Sequence, residues 1–276
     1  KPGVDRLVYG ALLTQKGMIL SDAWVVRLRD GLLWIAPRSR REETITLFRR
    51  SLPPRLAKVT DESERLAVIT VHGPRAVALA QGAAPGGVPA EPGQVVELAS
   101  RHGPVMVART ADSAPFRLLV VAPSEEVAPL LDRLALAGIP SGDASDAEAA
   151  RILAGWPAVG AEIDDRTLPQ EVRFDAMDAV SYSKGCYVGQ ETVARIHFRG
   201  HPNRELRGLV WTGEAPAGTA VLGAEGGEVG VASSVLVLPG RSLGLVKIRR
   251  EVFESGATEV NAGGATARLV ALPFTP

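Results

Sequence analysis

Apolar residues in this chain fall in short runs closed by Gly, Pro or Asp, a pattern that suits many brief strands and turns better than a helical bundle. Two stretches follow one plan. In Ala23 to Leu52, Trp24-Val25-Val26-Arg27-Leu28 turns at Asp30-Gly31 into Leu32-Leu33-Trp34-Ile35-Ala36-Pro37 and then a charged helical pattern. In Val105 to Gly138, Met106-Val107-Ala108-Arg109 turns near Asp112-Ser113 into Leu118-Leu119-Val120-Val121-Ala122-Pro123, and a helix is predicted from Glu125 to about Ala137, ending at Gly138. Pro37 and Pro123 stand 86 residues apart. Each closes an apolar run where proline suits a helix start, with Ser39 or Ser124 as the expected N-cap. A strand pair plus one helix cannot close a core alone, so the two units are expected to pack together as a structural pseudo-repeat.

Between them, Leu66 to Val71 reads as a buried strand, followed by a short helix from Arg75 to Gln81 and a Gly/Pro-rich surface loop from Gly82 to Gly93. A further helix is predicted from Ser145 to Leu153, stopping at Gly155 and Pro157. From Leu206 the texture changes to short strands with Gly-rich turns: Leu206–Trp211, Thr219–Val221, Glu228–Ser233, Leu243–Ile248 and Ala265–Val270. These predict a small barrel or sandwich over 206–276 as a second domain after a two-part region, 1–205. The fold class is α+β.

Lys plus Arg and Asp plus Glu each number 31, so no global field favours nucleic acid or anionic lipid, and any anion site must be local. No apolar run reaches the roughly 18 residues needed to span a bilayer, and the opening Lys-Pro-Gly-Val-Asp-Arg does not read as a signal peptide, so a cytoplasmic protein is expected. Because the chain opens without Met and its first apolar segment follows within a few residues, it also reads as lacking an N-terminal piece. The one cysteine, Cys186, cannot make an internal disulfide or a zinc-type thiolate set. It is either a packed small residue or a functional thiol.

Its neighbourhood favours function. In Lys184-Gly185-Cys186-Tyr187-Val188-Gly189-Gln190-Glu191 a thiol lies between glycines, which let a backbone approach a ligand closely, and Lys184 with Arg195 could stabilise a thiolate. From Lys184 to Arg207 five cations (Lys184, Arg195, Arg199, Arg204, Arg207) face two acids, Glu191 and Glu205, which predicts a local positive patch. His197 and His201 are four apart, but Gly200 and Pro202 oppose a shared helical face; solvated loop residues are expected rather than a metal pair, and no metal site is assigned.

This eight-residue segment resembles the signature of YgfZ-type folate-binding proteins, relatives of the glycine-cleavage T-protein (aminomethyltransferase). The resemblance extends through Ala11-Leu12-Leu13-Thr14-Gln15-Lys16-Gly17 and Ser21-Asp22, Arg151 to Gly155, Thr167 to Glu171, Val193-Ala194-Arg195, Arg199-Gly200 and Glu228 to Ser234. It implies a T-protein-like fold of three subdomains around a hollow for tetrahydrofolate or another folate, and a role in making or maintaining iron–sulfur clusters in client or assembly proteins. Cys186 and Lys184 are the catalytic candidates. Asp22, Arg151, Glu171, Tyr187, Gln190 and Arg195 are the folate-binding candidates. Leu153 stands where aminomethyltransferases carry a pterin-anchoring Glu, and Ser21-Asp22 where they carry two Asp. The missing carboxylates argue against ordinary aminomethyl transfer. The alternative is a folate-dependent aminomethyltransferase or one-carbon transferase with Asp22 near the folate nitrogen; a non-catalytic interaction module on an inherited fold is the third reading.

Overall fold

A computed structural model describes residues 5–84, 87–214 and 216–274. It contains, in order, β1 (Arg6–Leu13), β2 (Ile19–Arg27), β3 (Leu32–Ile35), α1 (Arg41–Ser51), β4 (Leu66–Val71), α2 (Ala76–Ala83), β5 (Val95–Leu98), β6 (Val105–Arg109), β7 (Leu118–Pro123), α3 (Val127–Leu136), α4 (Ala144–Leu153) and α5 (Gln190–Arg199). Then follow β8 (Arg204–Trp211), β9 (Thr219–Leu222), β10 (Glu228–Leu238), β11 (Arg241–Arg249), α6 (Arg250–Glu254), β12 (Glu259–Ala262) and β13 (Ala265–Val270). The chain divides into two compact units, 1–9 with 23–144, and 10–22 with 145–276. The division falls at 144/145, not at the expected 205/206, because the segment after residue 144 packs on the barrel strands: Ile152 of α4 shares an apolar cluster with Leu206 and Leu245.

In the first unit the sheet runs β4-β7-β6-β5 and is buried on both faces. Val105, Val107, Leu118, Val120 and Ala122 face Ala76 and Ala80 of α2 and Leu130 and Leu134 of α3. Met106, Ala108, Leu119 and Val121 face Leu7, Trp24, Val26, Leu33 and Ile35. Alternate residues therefore point into two cores, which is why β6 and β7 read as unbroken apolar runs.

The expected pseudo-repeat is present in the backbone. In both copies an antiparallel pair closes with Arg opposite Leu, Arg27 with Leu32 and Arg109 with Leu118. A proline then leads through a three-residue 3₁₀ turn into the helix, Pro37 to α1 and Pro123 to α3. The expected serine caps do not form: neither entry has a side-chain cap, and the Ser124 hydroxyl instead donates to the Arg65 carbonyl at 3.2 Å, tying the turn to the start of β4. The Gly82–Gly93 segment is not wholly a surface loop. α2 extends to Ala83, and Val88 is buried in the helix-side core; Pro85 and Gly86 lie outside the described residues.

In the second unit β10-β11-β8-β13-β12-β9 form a closed barrel, so the choice between barrel and sandwich is settled for closure, which removes free sheet edges. Its core is Leu209, Trp211, Val221, Ala232, Val246, Ile248, Val260, Ala262 and Ala267. Among the described residues no helix is long and apolar enough to cross a membrane.

Candidate functional site

The expected site residues all belong to the second unit. Cys186 is exposed, in an irregular loop whose residues Ser183 to Cys186 are all open to solvent. The loop is anchored at its far end. Gly189 heads α5 at φ 80°, a conformation that costs an L side chain strain, and a Cβ there would sit 2.5 Å from the Thr14 carbonyl and 2.8 Å from the Gly17 Cα. Gly17, at φ 82°, closes the β1–β2 turn, where the Gly17 N–H donates to Thr14 O and the Met18 N–H to the Thr14 hydroxyl. Two sequence blocks 175 residues apart, Thr14-Gln15-Lys16-Gly17 and the cysteine segment, thus meet backbone against backbone. Gly185 differs. A Cβ there would meet nothing within 4 Å, so packing does not require glycine at that position.

Around the loop, Gln190 accepts the Tyr187 N–H at 3.1 Å, and the Lys184 ammonium lies 4.6 Å from the centroid of the Tyr187 ring, a cation–π contact. Burial, with the nearby negative charge of Asp175, pushes the Tyr187 phenol up. Lys184, Tyr187 and Gln190 are thus brought together about Cys186.

Beneath them lies a cluster that sequence reading missed. Tyr182 stacks on His197 at 3.7 Å between centroids, donates to Asp175 at 2.5 Å and accepts from Gln170 at 3.2 Å. Gln170 also donates to the Val193 carbonyl of α5. Burial and the hydrogen bond to Asp175 raise the Tyr182 pKa, so the phenol keeps its proton and its donor role. His197 is therefore an exposed helical residue stacked on an aromatic ring, not a loop residue. No spacing in the sequence links residues 170, 175, 182 and 197; the only cue was an aromatic residue just before the cysteine segment.

The remaining candidates lie elsewhere in the unit. Arg195 is on α5, where a hollow of about 500 Å³ is lined by Glu191, Thr192, Ala194, Arg195, Phe198 and Arg199. Asp22 is half-buried in β2 beside buried Ser21, and the Ile19 N–H donates to the Thr167 carbonyl, which lays this strand beside the segment carrying Glu171. Glu171 is buried and accepts the Leu168 N–H. Arg151 has its donors committed within the chain: Nη1 to the Trp156 carbonyl and Glu162, Nη2 to Glu148 and Ser234, Nε to Glu148. Its five N–H groups meet five acceptor contacts, so it braces α4 and β10 and has no donor left for a ligand. Leu153 is 41% exposed. The cation run does not form one patch: Arg195 and Arg199 are on α5, while Arg207 pairs with Glu205 and covers the Phe253 ring.

A T-protein-like fold bearing a solvent-facing thiol on a glycine-locked loop defines the class of protein. Residues 1–181 match the family described as GCVT N-terminal domain, and the chain belongs to that family. It is similar to an aminomethyltransferase of Rubrobacter xylanophilus, 27% identical over 99% of this chain and 74% of the relative. It is also similar to the tRNA-modifying protein YgfZ of Escherichia fergusonii, 29% identical over 73% of this chain and 60% of that protein, and to YgfZ of Sodalis glossinidius, 26% identical over 77% and 62%. The matched region is thus less than two thirds of the YgfZ proteins' length. The crystal structure of glycine cleavage system aminomethyltransferase T from Bartonella henselae superposes with a TM-score of 0.77 at 18% identity, covering 99% of this chain and 77% of that one, which shows the fold.

Proposed function

We propose that this chain is a cytoplasmic folate-binding accessory protein that supports iron–sulfur clusters in client proteins through Cys186. The observation that carries the reading is Cys186 itself, exposed in a loop whose base is fixed by Gly189 against Thr14 and Gly17. Among the described residues no group of three or more His, Cys, Asp or Glu is arranged to hold a metal ion, and one thiol cannot hold a cluster alone. Cluster contact is therefore shared with the client or an assembly partner, and Lys184 and Tyr187 flank the thiol where that partner docks.

The residues fit a folate in part. Asp22, half-buried, and Glu171, buried, supply carboxylates able to accept from the amino and ring N–H groups of a pterin. Arg151 does not fit a ligand-contacting role. When bound, tetrahydrofolate supplies a reduced pterin; this chain's residues orient it and exclude water.

The test is complementation of a strain lacking its own family member, read as iron–sulfur enzyme activity. Wild type restores it and Cys186→Ala does not; full restoration by Cys186→Ala overturns the reading. Tetrahydrofolate at a hundred times its Kd stabilises the fold by about 2.7 kcal/mol, and the shift shrinks in Asp22→Ala. An unmoved melting temperature removes the folate part alone. The half-buried place of Asp22 also favours a second reading, folate-dependent one-carbon transfer, which turnover of methylamine-type substrates would establish.

A further inference from the structure

A second groove, of about 570 Å³, lies on the second unit and is lined mainly by charge: Arg166, His201, Arg204, Lys247, Arg249 and Arg250, with Asp164, Glu171, Glu251 and Glu254 among them. The acids are largely spoken for. Asp164 accepts from Lys247 at 2.9 Å and Glu254 pairs closely with Arg250, while Glu171, bonded to the Leu168 N–H, keeps its charge. Glu251 lies 3.6 Å from Arg249 with both side chains more than half exposed, a pair of little strength. Arg166 and Arg204 make no side-chain hydrogen bond or ion pair among the described residues.

The barrel register sharpens this imbalance. Arg204 is the residue directly opposite Arg249 where β8 and β11 end, so two guanidinium groups leave the same face of neighbouring strands. Like charges directly opposite on an antiparallel pair are destabilising, and no acid of the ladder stands between them. A third arginine, Arg166, which makes no ion pair among the described residues, is brought to the same groove by the Asp164 turn, in which Asp164 accepts the Arg166 N–H at 2.9 Å and is itself fixed by Lys247. Three arginines with so little internal neutralisation, in a groove within the size range of small-molecule sites, match the needs of one ligand chemistry. Guanidinium forks bind oxyanions in bidentate fashion, and a multiply charged oxyanion removes the repulsion between Arg204 and Arg249.

We infer that this groove binds a small, multiply charged oxyanion, of the phosphate or oligocarboxylate class, between Arg166, Arg204 and Arg249. The site is separate from the Cys186 loop; it shares Glu171 with the carboxylates proposed for folate, but its reading does not rest on folate binding. The probes are inorganic tripolyphosphate and triglutamate, titrated calorimetrically into the whole chain in about 0.1 M salt, where charges beyond roughly 10 Å are screened. Saturable one-to-one binding is expected for at least one probe, and the one that binds identifies the source. Arg204→Ala with Arg249→Ala is expected to weaken it about tenfold or more, equal to about 1.4 kcal/mol, while Arg133→Ala on α3 leaves it unchanged. Arg166→Ala, on an exposed turn, is expected to weaken it likewise and serves if the double variant does not fold. No saturable binding of either probe, or equal affinity in wild type and the groove variants, overturns the inference.

Discussion

The two units are stabilised in different ways. The first is organised by apolar alternation: a sheet with a core on each face, in which β6 and β7 contribute to both. The second has an apolar barrel core, but the irregular segment preceding α5 is attached to it by polar braces. Glu162, fully buried, accepts from Arg151, the Ala158 N–H, Ser233 and Ser234, joining α4 to β10. Lys247 of β11 donates to Asp164 and Thr167. Apolar packing tolerates graded change, whereas a buried charge with its partner removed has no cheap alternative. The Cys186 loop belongs to the unit built the second way.

Arg151→Ala is expected to have the largest effect, about 3–5 kcal/mol, because it strands the Glu162 carboxylate in the interior. The loss should appear in the denaturant transition reported by Trp156 and Trp211, and pairing Arg151→Met with Glu162→Leu should recover part of it. Loss below about 1 kcal/mol would make the brace ornamental. Leu118→Ala, 1% exposed in the first unit, should cost about 2–5 kcal/mol and act on the transition reported by Trp24 and Trp34. Gly189→Ala should cost about 1–3 kcal/mol through its positive φ, and more if the Thr14 turn cannot yield. Gly185→Ala, with open space at its Cβ, should stay within about 0.5 kcal/mol, so equal effects at the two glycines would refute the locked-base account.

A modest effect, below those of Arg151, Leu118 and Gly189, is in pH. Burial pushes the Asp164 carboxyl up, but hydrogen bonds from Lys247, Thr167 and the Arg166 N–H outweigh it and hold it at about 2, against its ordinary 3.8. A carboxyl with a depressed folded pKa stabilises fully above the ordinary value and loses that contribution as pH falls through the folded one. Since Asp164 is half-exposed, screening keeps the contribution below about 1 kcal/mol. Acid titration of Asp164→Asn against wild type should therefore show curves that converge between pH 4 and 2.

What was legible in the sequence follows the same division. Runs such as Leu118 to Ala122 announced buried strands, and the shared Pro37 and Pro123 junctions announced the repeated hairpin and helix. β12, Glu-Val-Asn-Ala, escaped because it is four residues long with no apolar run; it forms a hairpin with β13 and closes the barrel against β9. α5 escaped because its cations drew attention away from its pattern, in which Val193 alone is buried. Arg151 read as a ligand contact because, beyond the local Glu148 and Trp156, two of its acceptors, Glu162 and Ser234, are 11 and 83 residues away, and no local spacing marks that part of the brace. The cysteine segment was visible as chemistry, but its contact with Thr14 and Gly17 required the fold.

The locked base at Gly189 holds the Cys186 thiol out to solvent. Brief alkylation of the native protein, read by mass spectrometry, tests this directly. Modification of native Cys186 within a few-fold of its rate in denaturant is the predicted result. Modification only after unfolding would contradict it and return Cys186 to the role of a packed residue.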